Sequence, residues 1–251
     1  MAEPIEVFFW PTPNGLKISI ALEEMGLPYK LHPVNINVGE QFKPSFLAIS
    51  PNNRMPAILD PAAPDGAPIS VFESGAILQY LGRKRGKLYP QDERSRVEVE
   101  QWLYWQVSAL GPMSGQAQHF RNYAPKLVDD PHQLEYARHR FVCEVNRLYG
   151  VMERRLADRP FLAGDYSIAD IAAWPWMRGF ASYEQKLEDF PNVKIWFDAI
   201  AARPAVKKAI ADGAALKAKT LAEQTPEELA QSAKLLFGQT ASSVAEAAKR
   251  A

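Results

Sequence analysis

Glu73 and Ser74 lie between an apolar run that ends at Phe72 and a helical pattern that starts near Gly75. A helix start offers unpaired backbone N–H groups and a positive dipole end, so Ser74 can hold a carboxylate with its hydroxyl and its N–H. Glu73 can bind an ammonium group beside it. The pair therefore predicts a ligand with a carboxylate and an amine, although Glu-Ser before a helix can also be only a cap.

Pro56 stands at the entrance to a short apolar strand predicted over residues 54–59. A proline there cannot donate to a sheet ladder and is a candidate for a cis bond. A cis bond would leave the backbone N–H and C=O of Met55 facing outward, free to pair with an extended peptide as an added strand. Taken alone, such a proline more often only marks the boundary of a strand and has no role in binding. With Glu73 and Ser74 it indicates a short peptide ligand.

These two motifs carry a family resemblance. The run Asn53-Arg-Met-Pro-Ala-Ile58, followed by Glu73-Ser-Gly-Ala-Ile77, resembles the glutathione-binding half of the glutathione transferases. In that family a cis-proline motif and a Glu/Gln-Ser pair hold the tripeptide. The resemblance covers about residues 5–210 and implies that Met55, Glu73 and Ser74 contact glutathione.

Composition limits the classes of protein. The chain has 251 residues, 47% hydrophobic and 23% charged, which is typical of a globular protein with one or two domains. Its 29 basic residues balance 29 acidic ones, so nothing favours nucleic acid or an anionic membrane as a partner. No apolar run approaches the roughly 18–20 residues of a membrane span, and the N-terminus lacks signal-peptide features. We expect a cytoplasmic protein.

Cysteine and histidine usage is sparse. The single cysteine, Cys143, excludes an intrachain disulfide and a Cys-x-x-Cys redox motif. Four histidines without tight mutual spacing make a metal site unexpected. Cys143 lies in an apolar helical pattern, and we expect it to be a small buried residue.

The N-terminal part alternates strand and helix patterns. We predict a strand over 5–10, a loop over Pro11–Gly15, a helix over 16–25 that ends at Gly26, and a strand over 29–35. A hairpin of strands 54–59 and 69–72 and a helix through residues 76–81 follow. This order predicts a thioredoxin-like α/β domain over residues 1–83.

The rest of the chain is helical in pattern. The polar stretch 83–93 suits a linker, and helices are predicted near 94–122, 131–157, 167–182 and 191–202. We expect an all-α domain over 94–211, in which Ser167 and Asp170 form a capping box like the folding motif of the transferase family. Residues 212–251 form a predicted helical extension. Its apolar residues Leu229, Leu235, Leu236 and Phe237 are expected to pack on the helical domain or a dimer surface.

Thr12 and Asn14 follow the first predicted strand. If the tripeptide lies along Met55 and Ser74, its sulfur should reach this loop, because a thioredoxin-like sheet presents the loop beside the cis-proline. A thiol has a pKa near 8.5, and hydroxyl and amide donors at a helix start stabilise the thiolate. Alone, Asn14 is more simply the cap of a helix that begins at Leu16.

The full set of motifs resembles one class within the family. Pro11-Thr-Pro-Asn-Gly15, the Met55 and Glu73 motifs, and Trp102-Leu-Tyr-Trp-Gln-Val107 together are similar to the nu-class glutathione transferases of bacteria. Those enzymes use the threonine and asparagine of this loop where other classes use tyrosine, serine or cysteine. The resemblance adds Gln41 and Arg140 as glutathione contacts, although a solvated surface arginine explains Arg140 nearly as well. It also implies a homodimer of N-terminal domain against helical domain.

The function implied is a glutathione-dependent disulfide-bond reductase that works by thiol–disulfide exchange, with weaker transferase or peroxidase activity. Glutathione or its disulfide is the cosubstrate, and a small disulfide or an electrophile is the second substrate. Two alternatives stay open: conventional conjugation of electrophiles, and a non-catalytic module that binds protein partners. Four aromatic residues either line a second-substrate pocket or belong to the core: Tyr104, Trp105, Phe120 and Trp176.

Overall fold

A computed structural model describes residues 3–222, 236–242 and 245. The chain divides into two compact units. The first is formed by the described residues of Met1–Arg85 and Lys207–Ala251, and the second by Gly86–Val206. The expected division into residues 1–83, 94–211 and 212–251 stays a prediction.

The first unit is built on a four-stranded sheet whose strand order is β2-β1-β3-β4. Its strands are β1 (Ile5–Phe9), β2 (Tyr29–Pro33), β3 (Ala57–Asp60) and β4 (Ile69–Phe72). The first two strands are parallel, whereas β3 runs antiparallel to both β1 and β4. The predicted hairpin and the thioredoxin-like order of elements are confirmed.

Helices cover the sheet of the first unit. They are α1 (Pro13–Met25), α2 (Pro44–Leu47) and α3 (Ser74–Arg85). Alternate residues of β1 are buried, and α1 packs against α3. An apolar cluster joins Val34, Phe46 and Ala57, with Phe8, Ile49 and Met55 packed against it. The end of β1 is thus held by apolar packing beside the start of α1.

The start of α1 differs from the sequence prediction. The helix begins at Pro13 with Thr12 as its N-cap, so the predicted loop over Pro11–Gly15 is wrong from Pro13 onward. The fixed φ of Pro13 suits the first helical position, where its missing N–H costs nothing. Gly15 allows this early start, because a Cβ at that position would overlap the carbonyl oxygen of Trp10. The predicted C-terminal end is confirmed, with Gly26 in the left-handed region at φ 65°.

The second unit is helical, as predicted. Its helices are α4 (Glu93–Trp105), α5 (Gly111–Gln118), α6 (Glu135–Arg155), α7 (Ile168–Met177) and α8 (Pro191–Ala201). Wider π turns at Gln106–Leu110 and His119–Tyr123 continue α4 and α5. The predicted linker is too long at its start, since α3 runs to Arg85.

Asp170 organises the start of α7. Its carboxylate accepts the backbone N–H of Ser167 at 3.0 Å and that of Leu162 at 3.0 Å. It also accepts the indole N–H of Trp196 at 2.8 Å. The Ser167 side chain in turn accepts the backbone N–H of Asp170, which completes the predicted capping box, and also that of Ala169 at 3.3 Å. Burial raises the pKa of Asp170 to about 6, against the effect of these donors.

The next helix, α9 (Pro204–Ala222), returns to the first unit. The ammonium of Lys208 lies 2.8 Å from the Glu23 carboxylate of α1. A Cβ at Gly213 would lie 3.2 Å from the Phe9 ring and 3.2 Å from Pro11 Cβ. The described start of the predicted extension therefore packs on the first unit.

Little of the predicted amphipathic tail is described. Leu229 and Leu235 lie outside the described residues, Leu236 is half-buried, and Phe237 is 39% exposed. Gln239 accepts a hydrogen bond of 3.0 Å from the Arg54 guanidinium, again within the first unit. Among the helices that the structure describes, none has the length and hydropathy needed to cross a bilayer.

Cys143 contradicts the expected burial, because it is exposed on α6. The buried residues of this helix are Val145, Leu148, Tyr149 and Met152, at the spacing of one helical face. Cys143 precedes Val145 by two residues, which places it about 200° around the helix from that residue. The apolar neighbours in sequence did not define the buried face.

Candidate functional site

Thr12 joins the end of β1 to the start of α1. Its backbone N–H donates to the Trp10 carbonyl oxygen at 2.7 Å. Its Oγ1 accepts the N–H of Gly15 at 3.3 Å and donates toward the Met55 Sδ at 3.6 Å. The loop at Thr12, predicted to contact the glutathione sulfur, and the loop at Met55, predicted to pair with the peptide, are therefore neighbours. In the sequence, 43 residues separate Thr12 from Met55.

Met55 stands at the entrance to β3, as predicted. The Met55–Pro56 peptide bond is cis. The Met55 side chain is half-buried and packs on the Val34, Phe46 and Ala57 cluster. The Ser50 hydroxyl donates to the Arg54 carbonyl oxygen at 2.8 Å and fixes the approach to this loop.

Ser74 begins α3 and Glu73 directly precedes it, at the junction of strand and helix that the sequence predicts. Glu73 is exposed and adopts φ 68°, in a region that non-glycine residues rarely enter and that is enriched at functional sites. Its carbonyl oxygen accepts the N–H of Ile77 at 2.9 Å, and its carboxylate accepts the amide of Asn52 at 3.2 Å. Ser74 is 7% exposed. The pair presents an exposed carboxylate beside a nearly buried hydroxyl.

Lys17 is a site residue that the sequence reasoning missed. It lies on α1 at 1% exposure, with its ammonium 3.2 Å from the Ser74 hydroxyl oxygen. Burial lowers the pKa of Lys17 from 10.5 to about 7, and the nearby Glu73 carboxylate opposes this shift. Every residue from Gly15 to Leu22 is buried. The single lysine in this apolar run is the sequence feature from which Lys17 could have been identified.

Helix ends add to the positive potential of this region. The first turns of α1 and α3, both fully described, contain no acidic side chain. The positive dipole ends of the two helices are therefore not neutralised within their own first turns. The α1 helix connects the two parts of the site, because Thr12 caps it and Lys17 reaches from it to Ser74.

Three further residues are predicted to contact glutathione: Asn14, Gln41 and Arg140. Asn14 is half-buried in the first turn of α1, so Thr12 and not Asn14 is the cap. Gln41 is 1% exposed and donates to the Ile36 carbonyl oxygen at 3.4 Å. Its buried Oε1 has no hydrogen-bond partner among the residues that the structure describes. Arg140 is an exposed residue of α6 that lies 3.8 Å from the Glu144 carboxylate. The roles of all three stay predictions.

The four aromatic residues do not form one core stripe. Tyr104 is 55% exposed, while Trp105 and Trp176 are half-buried. Phe120 is also half-buried and stacks on Phe141 with ring centroids 5.4 Å apart. Across the described part of the chain, no cluster of three or more His, Cys, Asp or Glu residues is placed to hold a metal ion.

Family models match both parts of the chain. Residues 3–83 match the glutathione S-transferase N-terminal domain, and residues 125–204 match the C-terminal domain. The chain belongs to the glutathione S-transferase family. The combination of a thioredoxin-like sheet domain with an all-helical domain is the glutathione transferase fold.

Among curated relatives, the chain is 47% identical over 208 residues to the disulfide-bond oxidoreductase YfcG of Escherichia coli. The match covers 82% of this chain and 94% of that protein. The disulfide-bond oxidoreductase YghU of the same organism is 37% identical over 82% of this chain and 73% of its own length. Within the glutathione S-transferase family, the chain is therefore of the nu-class type.

Solved structures of similar proteins contain glutathione. A glutathione transferase from Burkholderia graminis, with two glutathione molecules per subunit, is 46% identical with a TM-score of 0.78. The match covers 83% of this chain and 88% of that chain. A transferase from Pseudomonas putida, with one glutathione disulfide per subunit, is 42% identical with a TM-score of 0.76 over 83% and 91% of the two chains.

Proposed function

We propose that this protein is a glutathione-dependent disulfide-bond reductase in which bound glutathione, and not a protein cysteine, supplies the reacting thiol. The observation that carries the proposal is the contact of Thr12 Oγ1 with Met55 Sδ at 3.6 Å. It brings a hydroxyl donor at a helix start to the loop where a bound peptide would pair. The glutathione-containing structures of similar proteins support the same ligand.

The glutamyl end of glutathione is assigned to the start of α3. Its carboxylate would accept the hydroxyl and backbone N–H of Ser74, where the helix dipole favours a negative charge. Its ammonium group would face the exposed Glu73 carboxylate, which Asn52 already orients at 3.2 Å. The cysteinyl backbone would pair with Met55 as an added strand.

Thr12 stabilises the thiolate in this arrangement. Its hydroxyl hydrogen now points at the Met55 thioether, which is a weak acceptor. A thiolate in reach would be a much stronger acceptor, because hydrogen bonds to charged groups are about twice as strong as neutral ones. Asn14 would add an amide donor, and the start of α1 adds its dipole. These groups lower the pKa of the bound thiol and raise its thiolate fraction at neutral pH.

The reaction is two thiol–disulfide exchanges. The bound thiolate attacks one sulfur of a small disulfide, forms a mixed disulfide and releases one thiolate. A second glutathione thiolate then attacks the glutathione sulfur of the mixed disulfide, which forms glutathione disulfide and releases the second thiolate. Two thiols are oxidised for each disulfide reduced, and the protein contributes position and charge stabilisation.

We further propose a cytoplasmic homodimer in which the first unit of one chain contacts the helical unit of the other. Exposed apolar side chains on both units support a covered surface. They include Ile69 and Phe72 on β4, and Val97 and Tyr104 on α4. Light scattering at micromolar concentration should report twice the mass of one chain, and a monomer would contradict this arrangement. Gln41 and Arg140 remain proposed glutathione contacts.

Steady-state assays with glutathione and hydroxyethyl disulfide test the proposed activity. Thr12→Val removes the hydroxyl at nearly constant volume, and a double variant with Asn14→Ala removes both donors. Loss of one donor to an oxyanion costs about 10²- to 10³-fold in rate. We expect somewhat less for a diffuse thiolate, and a larger loss in the double variant. Cys143→Ala should retain full activity.

The matched control separates catalysis from helix capping. Thr12→Val also removes the cap of α1, which costs about 0.5–2 kcal/mol of stability. Asp92→Ala removes an equivalent cap, because the Asp92 carboxylate accepts the N–H of Ser95 at 2.9 Å at the start of α4. It should lower stability similarly and leave the rate unchanged. A fully active double variant, or an inactive Cys143→Ala variant, would overturn the mechanism. If the protein with glutathione turns over a chloronitrobenzene but not hydroxyethyl disulfide, conventional conjugation is favoured.

A further inference from the structure

Lys17 is a buried lysine whose ammonium group needs a polar partner. A lysine ammonium is strongly hydrated and is almost never fully buried without a compensating partner. Here it lies at 1% exposure on α1 and reaches across to the first residue of α3, with Nζ 3.2 Å from Ser74 Oγ. One of its partners is therefore the hydroxyl to which the ligand carboxylate is assigned.

The charge on Lys17 decides what Ser74 can offer. An ammonium group has donors only, so the Ser74 oxygen accepts from it and the hydroxyl hydrogen remains available for another acceptor. A neutral amine has a lone pair and can accept that hydrogen. In the charged state Ser74 is a donor toward the ligand, and in the neutral state its hydrogen can turn to Lys17.

We propose that Lys17 is a positioning residue whose ammonium directs the Ser74 hydroxyl to the glutamyl carboxylate of glutathione, so that binding takes up a proton at Lys17. The inference rests on the proposed function, which places that carboxylate at Ser74. Lys17 acts through Ser74 and is not assigned a direct contact with the ligand.

The surrounding charges are consistent with this role. Burial holds the pKa of Lys17 at about 7, with Glu73 as the charged group that raises it. A ligand carboxylate at Ser74 would raise this pKa further. The other ionisable groups of α1 and α3 lie toward the far ends of the two helices. They are Glu23 and Glu24, and Tyr80, Arg83, Lys84 and Arg85.

Three of those groups have ionisable partners of their own. Glu23 accepts from Tyr29 at 2.6 Å and pairs with Lys208 at 2.8 Å. On α3, Tyr80 donates to Asp60 at 2.6 Å and Lys84 pairs with the same carboxylate at 2.6 Å. Glu73 is the charged group that raises the pKa of Lys17, and a ligand carboxylate at Ser74 would act in the same direction.

Calorimetry with S-methylglutathione tests the proposal, because this probe keeps the glutamyl group and has no ionisable thiol. Titrations in phosphate and in Tris at pH 7.5 give the number of protons exchanged, since the two buffers differ in ionisation enthalpy. From a pKa of about 7, roughly three-quarters of Lys17 is neutral at pH 7.5. Wild type should therefore take up about 0.5–0.8 proton per site.

Two lysine variants separate charge from packing. Lys17→Met removes the ammonium and keeps the apolar volume, so proton uptake should vanish and affinity should fall about 10- to 100-fold. Lys17→Arg keeps a permanent charge, so affinity should be largely retained and independent of pH between 6 and 8.5. Lys30→Met, at an exposed lysine of the same unit, should behave as wild type.

The outcomes are distinguishable. Binding by wild type without proton uptake, or equal uptake in Lys17→Met, would overturn the role of Lys17 and leave the proposed function intact. The wild-type measurement decides this even if a variant fails to fold. If wild type binds neither S-methylglutathione nor glutathione, the proposed function itself fails.

Discussion

Replacing Gly213 by alanine tests whether α9 holds the end of β1 in place. A Cβ at this position would lie 3.2 Å from the Phe9 ring and 3.2 Å from Pro11 Cβ. Carbon atoms prefer a separation of about 3.5–4.0 Å, so these neighbours must move by a few tenths of an ångström. Pro11 directly precedes Thr12, and the displacement therefore reaches the group that we assign to the thiolate.

Two opposing terms set the magnitude. Gly→Ala inside a helix gains about 0.5–1 kcal/mol of stability from backbone entropy. Overpacking a well-filled contact costs about 1–3 kcal/mol. We expect Gly213→Ala to be destabilised by about 0–2 kcal/mol, with kcat/KM for hydroxyethyl disulfide lowered.

Gly150→Ala is the matched control. Apart from its chain neighbours and the backbone of its own helix, no described atom lies within 4 Å of a Cβ built at Gly150, in the interior of α6. This variant should gain the full 0.5–1 kcal/mol or so and keep wild-type activity. Urea unfolding of both variants gives the difference directly, and we expect about 1–3 kcal/mol between them. Equal stabilisation with unchanged activity in both would refute the close packing of α9 against β1.

Three further results are expected. Glu73→Ala should weaken glutathione binding by about 1.5–3 kcal/mol in calorimetry, as for a hydrogen bond to a charged group, and unchanged affinity would count against the assigned amine site. Asp170→Ala should cost about 3–5 kcal/mol in urea unfolding because it leaves several buried donors unpaired, and a cost below about 1 kcal/mol would contradict that role. The unfolded chain binds more protons than the folded one between the folded pKa of Lys17, about 7, and its unfolded value of 10.5. Stability should therefore rise over this range of pH by up to about 4 kcal/mol, and Lys17→Met should lack that rise.

Local motifs were sufficient to predict much of the fold. The Gly26 stop, the hairpin before α3 and the Ser167 capping box each depend on neighbouring residues, and the structure confirms all three. The start of α1 could also have been predicted, because Thr12-Pro13 is a cap residue followed by a proline at the first helical position. A loop was predicted there because the apolar stripe starts only at Leu16.

Contacts between distant segments were not readable in the same way. Lys17 and Ser74 are 57 residues apart, and nothing in either local sequence shows that α1 and α3 face each other at that point. The exposure of Cys143 depends on which face of α6 is covered. Its apolar neighbours in the sequence do not identify that face. The return of α9 to the first unit likewise depends on a close approach that glycine permits.

That return of α9 changes what counts as an independently folding piece. The N-terminal family model ends at residue 83, whereas the compact unit containing the sheet also includes the chain from Lys207. A fragment cut at residue 83 would lose Lys208, the ion-pair partner of Glu23, and the Gly213 segment that packs on Phe9 and Pro11. On the ribosome, the sheet is complete early, but the part of α9 that belongs to the same unit is synthesised only after the whole helical unit. The loop at Thr12 should therefore reach its final packing late in synthesis.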